Sequence, residues 1–398
     1  MLKILNSLSE NPFLNNCPST VFTVLLDEEV SQNPQFSKLK TIQYTHGLLK
    51  YPRKWENDDD LFCYLSLESI KLLQDKKIFF VFDASTEGFS TIHDFPFFDV
   101  LYYNCTKYNV DPDQIIYVSS NLKDEENIKI YCTDKNLKPI NVCCFVSFEE
   151  ASRKLLSIEN EIKECHAQFQ GKYFSSLSRI NRIYRSMATF ILCQDEISSK
   201  ALISHDCVLK KIDNEHWRNR HFLQEYSIKC IKRWRKSLPL IVDKEDFNDN
   251  WALTYDYYNI HRQTLFQIVN ETLVDNYNNT SLFYSEKTFR PIICYQPFVI
   301  YGQKDCNKHL KNIGYQLYDE WFDLSFDSEE DNVLRYKKLL LSVKETCRYL
   351  DSLKKEAQIE WRFKNQELLK NNFLTMTASK YSREKIKELL NNLANKIN

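Results

Sequence analysis

The chain reads as an α/β protein of two Rossmann-like domains followed by a helical carboxy-terminal extension. Three observations lead there. Its 398 residues exceed what one ordinary core organises, and an apolar content of 43% is enough for two. Short, continuously apolar runs alternate with helix-length segments, the pattern of parallel strands joined by crossover helices. The alternation begins afresh near residue 170, where Gly171 precedes a new strand-like run, so the chain divides into 1–170, 171–331 and 332–398.

In the first part, VFTVLL (21–26), KIFFVFD (77–83), QIIYVSS (114–120), IKIYC (128–132) and VCCFVSF (142–148) read as strand-like runs. FCYLSLESIKLLQ (62–74), FFDVLYYNCTKYNV (97–110) and the charged stretch from Glu149 to Ala167 read as helical. The second part opens with KYFSSLS (172–178) and RINRIYRSMATFILC (179–193), whose apolar residues recur at helical spacing. A basic stretch from Lys210 to Lys236 follows, then strands LFQIVNE (265–271) and PFVIYG (297–302), and a helix after Asp305. Beyond about Asn332 the pattern is helical almost to the end, with no repeat and no low-complexity linker.

Lys plus Arg number 53 against 54 Asp plus Glu. No global field recruits nucleic acid or membrane, so broad nucleic-acid binding is not expected and any anionic ligand must be held by local clusters. Thirteen cysteines, an odd count with the adjacent pair Cys143-Cys144 and no CxxC, predict reduced thiols and a cytoplasmic setting. The start lacks an apolar signal segment and no run of about 18 apolar residues occurs, so neither secretion nor a membrane span is expected. Five glycines, at 47, 88, 171, 302 and 314, exclude a GxGxxG or Walker loop. His205, His216, His221 and His261 lack metal-ligand spacing, and no metal site is expected.

The stretch SLFYSEKTFRP (281–291) raises the functional question. Ser285 suits a helix N-cap and Glu286 suits the positive end of the helix dipole, but Lys287 does not. Ligands of doubly wound sheets bind outside the carboxyl ends of the strands, and three groups fall there. They are Arg179, Arg182 and Arg185; Asn270-Glu271-Thr272; and Ser285-Glu286-Lys287. Their chemistry fits a nucleotide diphosphate: guanidinium forks engage phosphate oxygens, Lys adds a point charge, a helix N-terminus offers free N–H groups, and a carboxylate accepts ribose hydroxyls.

These elements resemble the donor half of the α1,3-fucosyltransferases, a family with two Rossmann-like domains in the GT-B arrangement. Ser178 and Arg185 keep the family's seven-residue spacing between its Ser and its Arg. Val269-Asn270-Glu271-Thr272 is similar to its Phe-Glu-Asn-Ser segment, and Phe283-Tyr284-Ser285-Glu286-Lys287 to its Tyr-(Ile/Val)-Thr-Glu-Lys segment, with Pro297 to Gly302 as the closing strand and turn. The match covers about residues 172 to 302. Phe283 replaces a family Tyr, and Thr272 stands where the family has Asn. The resemblance implies that Glu286 holds the ribose while Lys287 and Arg185 hold the diphosphate, with Arg182, Glu271 and Ser285 around them. It implies a nucleotide sugar, GDP-linked in that family's manner, as co-substrate, with no other cofactor. It also implies that the last helix crosses back onto the first domain, which the leucine spacing of 332–398 only permits.

An inverting transferase needs a base for the acceptor hydroxyl, a glycan or other alcohol. In FVFDASTEGFS (80–90), Asp83 ends an apolar strand and Glu87 lies in the loop beyond it; either can serve, with Glu87 preferred. The basic run KCIKRWRK (229–236), with Trp234, is either a solvated helix face or a contact to an anionic acceptor through charge plus stacking. Two rival functions stand beside the transferase. One is a non-catalytic structural or interaction protein, phage- or virus-encoded, on the same scaffold; the other is a transferase acting on modified DNA.

Overall fold

The structure, a computed structural model, describes residues 21–33, 36, 41–45, 60–62, 65–85, 88, 97–153, 171–178, 182–205, 214–240, 242, 260–275, 278–364 and 366–397. It is α/β, with two parallel sheets and a helical carboxy-terminal stretch. In chain order the elements are α1 (Val21–Gln32), β1 (Thr41–Thr45), α2 (Leu67–Gln74), β2 (Phe79–Ala84), α3 (Phe97–Lys107), β3 (Ile115–Ser119), α4 (Asp124–Lys135), β4 (Asn141–Cys144) and α5 (Ser147–Arg153). Then come β5 (Lys172–Ser178), α6 (Ile183–Gln194), β6 (Ala201–His205), α7 (Asn214–Arg220), α8 (Ile228–Ser237), β7 (Thr264–Asn270), α9 (Glu286–Ile293), β8 (Phe298–Tyr301) and α10 (Cys306–Asn312). Four helices close the chain: α11 (Asn332–Asp351), α12 (Lys355–Phe363), α13 (Gln366–Ala378) and α14 (Lys380–Ile397).

Compactness divides the chain into two units. Met1–Glu150, Asn276–Phe283 and Ser379–Asn398 form the first, and Ala151–Asp275 with Tyr284–Ala378 the second. This division differs from breaks at 170 and 331. Of the closing helices only α14 groups with the first unit, and the motif 281–291 is itself split between Phe283 and Tyr284.

In the first unit the sheet order is β1-β2-β3-β4, all parallel. Each crossover steps the same way, so right-handed connections put α2, α3 and α4 on one face. That face packs Phe80 and Phe82 against Leu73, Phe98, Leu101, Ile128 and Cys132. Alternate residues Phe79, Val81, Ile116 and Val118 point to the opposite face. It is covered by Phe22, Leu25 and Leu26 of α1 and by Ile386, Leu389, Leu390 and Leu393 of α14. Two expected strands are helices here. VFTVLL lies in α1, where Phe22, Leu25, Leu26 and Val30 share one buried stripe, and IKIYC lies in α4 behind the acidic first turn Asp124-Glu125-Glu126.

In the second unit the order is β6-β5-β7-β8, again all parallel. Phe174 and Phe266 stack at 5.3 Å across β5 and β7, and Trp361 of α12 closes over Phe266 at 6.1 Å. The described cysteines are free thiols. Among the described residues no helix is long and apolar enough to cross a membrane.

Candidate functional site

β6 lies on one side of β5 and β7 on the other, so the winding reverses between β5 and β7. In open parallel sheets the carboxyl ends at such a reversal frame a crevice, because the following loops diverge there. β5 ends at Ser178 and β7 at Asn270, whose Nδ2 donates to Ser176 Oγ and Ser178 Oγ at 2.9 Å each. Three of the expected groups converge beyond these ends, within the second unit.

Glu271 is the hub. It is 1% exposed, and its carboxylate accepts the Thr272 N–H (2.8 Å), the Ser285 hydroxyl (2.6 Å) and N–H (3.2 Å), and the Thr288 hydroxyl (2.6 Å). Both oxygens are thus engaged in tying the β7 loop to the start of α9. Ser285 serves twice, since its Oγ also accepts the Lys287 N–H at 3.4 Å as the N-cap of α9. Glu271 is therefore a positioning group and not a free carboxylate for a ligand.

The cations meet at Thr272. Arg185, in the first turn of α6 and 2% exposed, donates Nε to the Glu271 carbonyl at 3.0 Å and Nη2 to Thr272 Oγ1 at 2.7 Å. Lys287 Nζ donates to the same Oγ1 at 3.2 Å and pairs with Glu286. With two donors on that oxygen, the Thr272 hydroxyl proton remains for a further acceptor. Burial, and then Arg182, pull the Arg185 guanidinium down to about 10; burial, and then Arg185, pull the Lys287 ammonium down to about 8. Glu286 feels burial upward, but Lys287 and Arg290 outweigh it and hold the carboxyl below its usual range. Arg290 Nη2 stands 3.9 Å from the Glu286 carboxylate.

Arg185 thus feels Arg182 and Arg290 as well as Glu271 and Glu286, and Lys287 feels Arg185 as well as Glu286 and Glu271. Arg185 and Lys287 also sit in the first turns of their helices, where the helix dipole opposes a cation. Buried Arg185 and half-buried Lys287, like-charged neighbours in the first turns of two helices, repel each other when alone and are favourable around an anion.

Beside α6 lies a cavity of about 370 Å³, lined among others by Tyr184, Phe222, Gln224, Glu225 and Asn332. The Tyr184 and Phe222 rings stack at 5.7 Å with planes 4° apart. Phe222 holds this place with φ of 57°, a left-handed backbone that bulky residues rarely adopt.

The other expected residues fall elsewhere. Asp83 is the next-to-last residue of β2 in the first unit, is 1% exposed, and accepts the Ser85 N–H at 3.0 Å, so it fastens its own loop. Glu87 and Arg179 lie outside the described residues. Arg182 is exposed at the N-cap position of α6 and makes no side-chain cap. Trp234 is not available for stacking on a ligand: it is 4% exposed and packed on Phe190 at 5.3 Å and Trp217 at 5.3 Å. Among the described residues no group of three or more His, Cys, Asp or Glu could hold a metal ion.

Sequence reasoning missed Thr288 and Arg290, both in SEKTFR, and the bridging place of Thr272. Helical spacing offered a signal, since Arg290 falls four residues after Glu286 and so shares its face. Neither protein-family models nor curated proteins match this chain.

Proposed function

We propose that this chain is a glycosyltransferase of two Rossmann-like, GT-B-arranged domains that moves a sugar from a nucleotide-diphosphate donor to a hydroxyl acceptor with inversion. The reading is supported above all by buried Arg185 and half-buried Lys287 sharing Thr272 Oγ1 at the winding reversal of the second sheet. In the proposed reaction the acceptor oxygen attacks the anomeric carbon and the bond to the donor phosphate oxygen breaks. The acceptor proton passes to a carboxylate, for which Glu87 is the candidate. Arg185, Lys287 and the Thr272 hydroxyl take up the charge of the departing diphosphate, and the step needs no metal. Glu286, kept ionised by Lys287 and Arg290, accepts the ribose hydroxyls.

A thermal-shift panel of GDP, UDP, CMP and their sugars tests the donor site, because a ligand at one hundred times its Kd stabilises by about 2.7 kcal/mol. Lys287→Ala should weaken nucleoside diphosphate binding by about 1.5 to 3 kcal/mol, the range for a hydrogen bond to a charged group. Unchanged binding with a lowered melting temperature would make Lys287 structural and end this reading.

One observation favours the rival of a non-catalytic protein on the same scaffold: Asp83, one of the two base candidates, is buried and engaged by its own loop. Turnover separates the two. Glu87→Gln should abolish transfer and leave donor affinity nearly intact, whereas a wild-type protein that neither transfers nor slowly hydrolyses a bound nucleotide sugar is a scaffold.

A further inference from the structure

Helix α8 has a buried side and a charged side. Ile231 and Trp234 face the core, while Lys229, Lys232, Arg233 and Lys236 are exposed. These four are spaced i, i+3, i+4 and i+7, so they form one stripe along the helix. At 1.5 Å per residue the stripe is about 10.5 Å long. Every neighbouring pair within it is like-charged at helical contact spacing, which disfavours the helix. Among the described residues none of the four has an ion pair, while Glu215 pairs with Arg218 at 3.6 Å and Glu225 with Lys337 at 2.6 Å. Adjoining α7, joined to α8 by the Arg235–Asn214 hydrogen bond of 2.8 Å, adds exposed Arg220.

We propose that the outer face of α8 binds the phosphodiester backbone of a double-stranded nucleic acid. Charge density selects this partner. A duplex presents one charge per about 1.7 Å of its axis, hence about six over the length of the stripe. A polysaccharide carrying a single acid group per repeat offers far fewer. A membrane surface is a poorer fit, since the apolar side of α8 is already buried in the protein and has nothing to insert. A single strand is a poorer fit because Trp234 is packed in the core and cannot stack on bases. The near-neutral total charge is consistent with this local role, because the binding is carried by one stripe and not by the field of the whole chain.

Fluorescence anisotropy of the full chain with a short labelled duplex, titrated over a range of salt, tests the proposal. Four phosphate contacts give a slope of log K against log[salt] of about −3.6. The quadruple variant Lys229→Gln, Lys232→Gln, Arg233→Gln, Lys236→Gln should lose at least about tenfold in affinity at low salt and bring the slope towards zero. Lys232→Gln alone should reduce the slope by about 0.9, so the test stands even if the quadruple variant folds poorly. The proposal is overturned if the wild-type chain does not bind duplex at low salt, or if the variants bind it with an unchanged slope. It is equally overturned if an acidic polysaccharide binds through these residues while duplex does not.

Discussion

Lys287 sits where burial and Arg185 both oppose its charge, and its ammonium titrates near 8. Between about 8 and the ordinary value of 10.5 the folded side chain is neutral while the unfolded one keeps its proton. The unfolded state then binds more protons, so through this group the stability of the free protein rises with pH across that window. A bound diphosphate needs the charged form, so its affinity should move the other way. Calorimetric titration with GDP should show affinity constant below about pH 8 and falling above it, approaching about tenfold per unit where binding requires the proton. A profile that stays flat through pH 9 would mean that Lys287 never touches phosphate. Arg185 and Glu286 do not confuse this reading. Arg185 is held only down to about 10, and Glu286 is held below the usual carboxylate range.

At the scale of elements, the segment from Thr280 to Phe283 is neither helix nor strand, yet its backbone is fixed within the first unit. Asn121 Nδ2 and Asn127 Nδ2 donate to the Thr280 carbonyl at 2.9 and 2.8 Å, and the Leu122 N–H donates to the Leu282 carbonyl at 2.9 Å. Ser281 Oγ donates to the Gly88 carbonyl at 2.7 Å, and a side chain at Gly88 would put its Cβ 2.1 Å from the Phe283 ring. Gly88→Ala should therefore cost about 1 to 3 kcal/mol as overpacking. Phe283→Ala in the same chain should recover part of it, because it removes Cγ and Cδ2, the two atoms nearest the new Cβ, so denaturant midpoints of the two singles and the double give a coupling energy. Additive losses would show that the contact is not tight. Such contacts explain what was legible in the sequence and what was not. KIFFVFD, QIIYVSS and LFQIVNE could be read because strands covered on both faces are apolar throughout. TIQYT and ALISH, the strands β1 and β6, are too short and polar to stand out. VFTVLL misled through β-branched residues, although Phe22, Leu25, Leu26 and Val30 carry the helical spacing. Arg185, Glu271 and Lys287 were legible as residue types, but not that both oxygens of Glu271 would be consumed by Ser285, Thr272 and Thr288, since that depends on a loop geometry no local pattern encodes.

At the scale of the whole molecule, the first unit is completed by the end of the chain. Its strand order winds one way only, which leaves the face of Phe79, Val81, Ile116 and Val118 without crossover helices. α1 and α14 fill that face, and α14 adds the cations Arg383 and Lys387 at 3.4 and 3.5 Å from the buried carboxylate of Glu29, itself 1% exposed. Ile386, Leu389, Leu390 and Leu393 are each no more than 5% exposed. At about 1.5 to 3 kcal/mol apiece their burial contributes about 6 to 12 kcal/mol as an upper bound. That is comparable to the entire stability of a domain, about 5 to 15 kcal/mol. Deleting residues 379–398 should therefore unfold or severely destabilise the first unit. Calorimetry should show a transition lost or moved to much lower temperature, and hydrogen exchange should show β2 and β3 losing protection, with no change in oligomeric state by light scattering. A projecting helix that serves dimerisation would behave oppositely, converting a dimer to a monomer while the melting profile and the protection of β2 and β3 stayed intact. Replacing Leu390 alone by Ala gives the graded version, a loss of about 2 to 5 kcal/mol for a leucine that is 1% exposed. A Leu390→Ala protein as stable as wild type would mean that α14 does not close this face in solution.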